Sequence, residues 1–218
     1  TIESKATTEP ADIKIEVARG GEYKIRLEDG TTVWLNSESS LIYPEKFTGD
    51  KRAVRLSGEG YFEVARDEKK PFIVSVTDME IKVLGTKFNV TAYQDEKMTT
   101  TTLISGAVEV VTPHRSVQLQ PGKQAMVQEG GDDITVLEVD VELATSWTAG
   151  IFKFDKMALT DICTRLSRWY DIDFVFEGET GKEKFTGGTW KYVPLKDFLS
   201  KIERVTNVLF LFENNTVK

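Results

Sequence analysis

One cysteine, Cys163, and one histidine, His114, stand in a chain of 218 residues. A lone cysteine forms no internal disulfide and carries no firm message about compartment. A lone histidine removes Ser-His-Asp, Cys-His and multi-histidine metal sites together. No apolar run approaches the roughly 18 residues that a membrane span needs. Positive charge is also scarce: 28 Lys and Arg face 35 Asp and Glu, a net charge of −7. Lys51-Arg52 and Lys69-Lys70 are the longest basic pairings, too short for a phosphate backbone, so no nucleic-acid partner is expected. The opening stretch Thr1–Pro10 is polar and lacks a signal peptide's apolar core. A chain opening this way reads as a fragment or a processed product, with any membrane anchor expected upstream. Before about Val139 a helical stripe is missing altogether.

What fills that first part is period two. Tyr23, Ile25 and Leu27 alternate with charged residues, Asp29-Gly30 marks a hairpin turn, and Val33 and Leu35 resume the pattern. Similar units recur at 56–64, 83–90, 104–110 and 119–127, each an apolar residue, a glycine kink and renewed alternation. The glycines are unevenly spaced, which argues against a solenoid. Many short strands without helical period predict an all-β domain over 22–141, a sandwich or a β-roll. Residues 1–21 read as a polar linker following an anchor. Between Val136 and Leu137 the apolar phase slips, as at a bulge or the end of a sheet. Residues 142–150 read as a second linker, with Trp147 expected to pack at the junction.

The remainder, 151–218, is written twice. Thirty-six residues downstream of Leu159, Asp161, Ile162, Cys163 and Leu166 stand Leu195, Asp197, Phe198, Leu199 and Ile202. The same offset carries Ile172, Phe174, Phe176 and Glu177 onto Val208, Phe210, Phe212 and Glu213. Each copy has the i, i+3, i+4, i+7 stripe of an amphipathic helix, followed by alternation. With Phe152–Phe154 and Phe185–Trp190 ahead of the helices, this predicts a small α+β domain of duplicated βαβ units. Thr216–Lys218 reads as one more strand begun. Cys163 matches Leu199 on the buried stripe, so it belongs to the core.

Catalytic chemistry is hard to find. Glu59 and Glu63 share a strand face but lie about 13 Å apart at strand rise, beyond the roughly 5–9.5 Å of glycosidase pairs. Asp132-Asp133 and Asp171/Asp173 lack the ligand spacing of a calcium loop. Gly20-Gly21, Gly130-Gly131 and Gly187-Gly188 do not join a strand to a helix N-terminus, as a phosphate cradle requires. No catalytic residue, metal or cofactor is therefore expected, and the chain reads as a non-enzyme. Trp34, Tyr43, Tyr61, Trp147 and Trp190 leave one alternative open, a carbohydrate-binding β module of a cell-envelope protein with a sugar-stacking platform.

Several motifs follow one another in order: Leu27-x-Asp-Gly-x-x-Val-x-Leu-Asn36, Leu56-x-Gly-x-Gly-Tyr-Phe-x-Val64, Pro71-Phe-x-Val74, Val83-Leu-Gly-Thr-x-Phe-Asn-Val90, Ser105-Gly-x-Val-x-Val110 and Leu119-x-Pro-Gly-x-x-Ala125. Together they resemble the FecR family of anti-sigma factors. The run Trp147-x-x-Gly150-x-Phe152-x-Phe154, with Leu159, Leu166, Arg168 and Tyr170, is similar to the C-terminal module of Bacteroidetes members, itself like the short signalling domains of secretins and TonB-dependent transporters. The resemblance implies the periplasmic part of a single-pass inner-membrane protein. Its partners would be the signalling domain of an outer-membrane TonB-dependent transporter and, through a cytoplasmic segment outside this chain, an extracytoplasmic-function sigma factor. It also draws attention to Gly85-Thr86: some relatives are cleaved in the periplasm, and a Thr hydroxyl can attack the preceding carbonyl when the backbone is strained. The alternative is a kink at Gly85 and a strand start at Thr86.

Alternation sets a last expectation. If Ile172, Phe174 and Phe176 face the helices, and Val208, Phe210 and Phe212 do so in the second copy, then Val175, Leu209 and Leu211 point away. Large neighbouring leucines are rarely left open. A cover from the β domain or a further layer of the module is expected first, and a partner's surface second.

Overall fold

The computed structural model describes residues 11–77, 79–177 and 181–218; Thr1–Pro10 and Thr180 lie outside them. The first part is all β. Its strands are β1 (Asp12–Val17), β2 (Tyr23–Arg26), β3 (Thr32–Leu35), β4 (Ser39–Pro44), β5 (Arg52–Glu63), β6 (Phe72–Val76) and β7 (Met79–Val83). They continue as β8 (Lys87–Ala92), β9 (Met98–Ser105), β10 (Val108–Val111), β11 (Ser116–Leu119), β12 (Lys123–Gln128) and β13 (Ile134–Glu138). All belong to one 13-stranded sheet, in the order β11-β10-β7-β6-β5-β8-β9-β12-β13, with β1-β4 and β2-β3 joined to it at β5.

The sheet is folded on itself through β5. The first half of that strand pairs with β4 and β6, the second half with β3 and β8. Its inward residues alternate without a break, Arg52, Val54, Leu56, Gly58, Gly60 and Phe62. Phe62 stacks on Phe88 at 5.0 Å and leans on Phe72 at 6.4 Å, so both layers supply one core. Gly58 sits where β5 passes from one layer to the other, with φ of +91°. A Cβ there would stand 2.7 Å from the Ser39 Cα. Both the left-handed backbone and the close approach therefore demand glycine.

Two boundaries differ from the sequence reading. The segment read as a polar linker up to residue 21 contains β1, because Ile13, Ile15 and Val17 alternate as well and pair with β4. The strand is easy to overlook since it is an edge with mostly exposed side chains. At the other end, 142–150 is not extended. Asp140 caps α1 (Val141–Thr145) by accepting from the Glu142 N–H at 2.9 Å, and a 3-10 turn spans Ser146–Ala149. The phase slip at Val136 and Leu137 marks a sheet edge rather than a bulge: β13 pairs regularly with β12 and exposes both faces.

The C-terminal region is a small α+β unit with a separate apolar cluster. β14 (Ile151–Ala158) leads into α2 (Leu159–Tyr170), and β16 (Lys184–Trp190) precedes α3 (Leu195–Glu203). Leu159, Ile162, Cys163 and Leu166 meet Leu195, Phe198, Leu199 and Ile202 in that cluster. β14 and β16 form an antiparallel pair. The alternating stretches after the helices shrink to β15 (Asp173–Phe174) and β17 (Phe212–Glu213), which flank β18 (Thr216–Val217). Ile172, Phe174, Val208 and Phe210 pack against the helices as alternation predicts, but Phe176 and Phe212 are 37% and 42% exposed, because only as much of each stretch is strand as β18 can pair. The second strands expected for each βαβ copy are thus reduced to two residues.

Two outcomes test this account. Gly58→Ala should lower the stability of the β domain by about 3 kcal/mol, adding left-handed strain to overpacking, as read from urea denaturation; a change below 1 kcal/mol would remove the pivot role. Cys163 is fully buried, and burial pushes its thiol up to about 12. It should resist thiol reagents until the chain unfolds. A raised folded-state value means stability is intact below the unfolded value near 9 and is lost as pH rises toward 12. The Cys163→Ala variant should lack that component of the slope, about 1.4 kcal/mol per pH unit.

Candidate functional site

Sheet faces bury apolar residues only as far as another layer covers them, and the outer face of β8, β9 and β12 is polar. Thr100, Thr102 and Gln124 lie on it, with Gln124 Nε2 donating to Thr102 Oγ1 at 2.7 Å. The C-terminal unit leans over this face and leaves a cleft of about 630 Å³. At its base the Glu59 carboxylate accepts from Asn36 Nδ2 at 2.7 Å, Asn89 Nδ2 at 3.0 Å and Thr91 Oγ1 at 3.2 Å. Asn89 Oδ1 in turn accepts from the Trp147 indole N–H at 3.0 Å. The buried Trp147 thus bonds to a β8 side chain of the first part, from the segment that joins the two.

Three basic side chains also join the two parts, Arg168, Arg19 and Lys191. Arg168, on the side of α2 away from its apolar stripe, is 3% exposed. Its guanidinium lies over the Tyr93 ring at 3.7 Å. Nη2 reaches Asp95 at 2.5 Å, Nη1 reaches Glu96 at 2.6 Å, and Nε stands 3.4 Å from Glu38. Burial pulls the guanidinium's pKa down, but Glu96 and Asp95 together outweigh it and hold the value above the ordinary one. Desolvation likewise pushes the Tyr93 hydroxyl far up, and it donates to Ser37 O at 2.9 Å. Arg19, from the β1–β2 loop, donates to Asp173 at 2.8 Å and to Ile172 O at 2.9 Å. Lys191 pairs with Glu22 and lies 4.2 Å over Trp169. Burial pulls Lys191 down to about 7. The carboxylate in contact with it and the indole face oppose that pull and favour the charged form.

The residues singled out by sequence fall in separate places. Val175, Leu209 and Leu211 are 48%, 74% and 61% exposed, so the described residues do not supply the expected internal cover. Leu211 exchanges backbone hydrogen bonds with Lys218, and the Val175 N–H donates to Val217 O, which puts Val175 and Leu211 in one row across Lys218, on the side of the β15-β18-β17 sheet away from the buried Val217; Leu209 stands two residues ahead of Leu211. The aromatics do not form one platform. Trp34 meets Tyr61 edge-on at 5.3 Å under Lys24, Tyr43 lies on β4 in the other layer, and Trp190 stacks on the exposed Tyr192 at 5.8 Å. Thr86 is buried and its hydroxyl donates to Ala107 O at 2.8 Å, while a Cβ on Gly85 would press on Arg66. Both fit the kink-and-strand reading. Glu63 is taken by Lys87 at 2.8 Å, and the exposed His114 stands 3.6 Å from Asp132. Among the described residues no three His, Cys, Asp or Glu side chains group as metal ligands, and no helix is long and apolar enough to cross a membrane.

Sequence reasoning passed over Arg168, Arg19 and Glu22 as site residues. Arg168 was visible only as part of a family motif. Its position two residues beyond Leu166 falls off the apolar stripe, where an arginine ordinarily meets solvent.

Comparison with known proteins places the whole arrangement. The family described as FecR protein matches residues 13–109, and the one described as FecR, C-terminal matches 151–218. Two crystal structures of a candidate anti-sigma factor from Parabacteroides distasonis ATCC 8503, at 1.65 and 2.50 Å resolution, are each 31% identical with a TM-score of 0.88. They cover 94% and 95% of this chain, and this chain covers 97% of each of theirs. No curated protein matches the chain.

Trp147→Phe keeps one aromatic ring but removes the indole N–H and leaves the Asn89 carbonyl oxygen without its donor. Because that group is buried, the change should cost about 1–3 kcal/mol. Urea denaturation of the whole chain checks it, and Asn89→Ala on the same background should cost more again, because it also takes a donor from the Glu59 carboxylate.

Proposed function

The chain belongs to the FecR family of anti-sigma factors, and from that premise we propose that it is the periplasmic sensor region of a transmembrane anti-sigma factor. The observation that carries this reading is the match along both parts at once to the Parabacteroides distasonis protein. In this reading an inner-membrane anchor and a cytoplasmic sigma-binding segment belong to the same protein. The β domain over 22–141, extended back to β1, is the body, and 151–218 is the receiving module. The signal comes from an outer-membrane TonB-dependent transporter, whose N-terminal signalling domain docks on the module. The output is control of an extracytoplasmic-function sigma factor, with no catalytic step by this chain.

Val175, Leu209 and Leu211 are the contact residues we assign to the transporter. They are large, apolar and open to water, with Val175 and Leu211 in one row of the sheet and Leu209 two residues ahead of Leu211. Lys218 stands between Val175 and Leu211 and pairs with Glu213 at 2.6 Å, so the face is apolar with one charged pair set into it. Grouped exposed apolar residues of this kind commonly mark a contact surface.

Replacing Leu209 and Leu211 together with Asp should leave the thermal transition within a few degrees, since both are exposed. Binding to the purified signalling domain of the cognate transporter, measured by calorimetry, should fall by at least roughly tenfold, a loss of about 1.4 kcal/mol or more. Unchanged binding with unchanged folding would end the assignment of this face.

A further inference from the structure

The β1–β2 loop, Ala18–Glu22, is built into the C-terminal module. Arg19 donates to Asp173 and to the Ile172 carbonyl, and the Gly20 N–H donates to the Arg168 carbonyl at 2.7 Å. Glu22 pairs with Lys191. Gly20 has φ of +75°, and a Cβ there would sit 3.8 Å from the Trp169 carbonyl, so backbone conformation rather than space calls for glycine. These contacts gather the loop around the C-terminal end of α2.

They also close a ring. The Arg168 guanidinium covers Tyr93, the Tyr93 hydroxyl donates to Ser37 O, the Ser37 hydroxyl donates to Gly21 O at 2.8 Å, and Gly20 returns to Arg168. Glu38 holds a left-handed backbone with φ of 58° beside this ring and turns its carboxylate to the Arg168 Nε. A non-glycine residue in that region costs free energy that its surroundings must offset.

β1 leads directly into this loop. It is an edge strand with β4 as its one strand partner among the described residues, and most of its side chains are exposed. The module and the β domain keep separate apolar clusters and meet across polar groups and a cleft. Contacts of that kind separate more readily than a shared core.

We propose that the Ala18–Glu22 loop and Arg168, with Asp95 and Glu96, form an ionic clasp that couples the seating of β1 to the position of the C-terminal module. Movement of the module withdraws Arg168 from its carboxylates and the loop from α2, and β1 then keeps its pairing with β4, the Arg55–Asp12 ion pair and the packing of Ile15 and Val17, without the anchor at its C-terminal end. The clasp exists independently of function. Its use, passing a signal from the module to the N-terminal strand, rests on the sensor reading above.

Asp95→Asn with Glu96→Gln keeps side-chain shape and removes both charges opposite Arg168, from positions on a turn. In hydrogen–deuterium exchange on the whole chain, the β1 amides should exchange at least roughly tenfold faster, the scale of one lost charge-assisted hydrogen bond. Amides of β5 and β8 should stay protected, and Cys163 should remain unreactive. Arg168→Lys, which keeps charge but loses the planar fork, should move β1 the same way. Unchanged β1 exchange in both variants overturns the clasp, as does a uniform rise across β1, β5 and β8. A sigma-dependent reporter in cells that ignores the variants while β1 exchange rises would sink the sensor reading and leave the clasp standing.

Discussion

A guanidinium that has lost nearly all its water has to be neutralised where it sits, and Arg168 imposes that condition on the whole arrangement. Its carboxylates come from the β8–β9 turn and from Glu38 between β3 and β4, so α2 can take only the pose that reaches both. The pose in turn puts Trp147 over Asn89 and leaves a polar cleft unfilled. Breaking a buried pair on one side typically costs more than the pair itself contributes, because an uncompensated charge is left behind. A join of this kind specifies one orientation sharply without welding the parts. An apolar join of equal area would do the reverse, holding tightly while tolerating sliding.

The fold prepares this site through one strand. β5 serves both layers, and the step at Gly58 presses it against Ser39, whose hydroxyl accepts the Glu59 N–H at 2.8 Å. The following residue, Glu59, therefore emerges on the outer face with its carboxylate directed to Asn36, Asn89 and Thr91. The same turn region carries Ser37 and Glu38, which meet Tyr93 and Arg168. Core geometry and domain contact are consequently coupled within a few residues of one bend.

Much of the fold was legible because its driving force is periodic. Leu159, Ile162, Cys163 and Leu166 declare a buried helix face, and their counterparts Leu195 to Ile202 declare another; both are buried as the stripe requires. The alternation of β5 is equally open to reading. β1 was missed because an edge strand with one partner needs few apolar residues, so its signal is weak against a polar background. β15 and β17 were overestimated because alternation reports a face, while strand length is set by the partner available to pair. Of the candidate site, period suggested that the apolar positions Val175, Leu209 and Leu211 point outward; that the described residues leave them open, and Phe176 and Phe212 beside them, it could not show.

From its residues the chain determined two regimes of periodicity, the composition of two cores, a lone buried thiol and the motifs that mark its family, because each depends on local spacing or residue type. Tertiary structure alone decided which charges meet. Arg168 and Asp95, Arg19 and Asp173, and Lys191 and Glu22 are far apart in sequence and carry no periodic signature. A charged residue on a helix flank looks the same in sequence whether water or a carboxylate awaits it, since the cost of desolvation arises only when another part of the chain arrives to exclude the water.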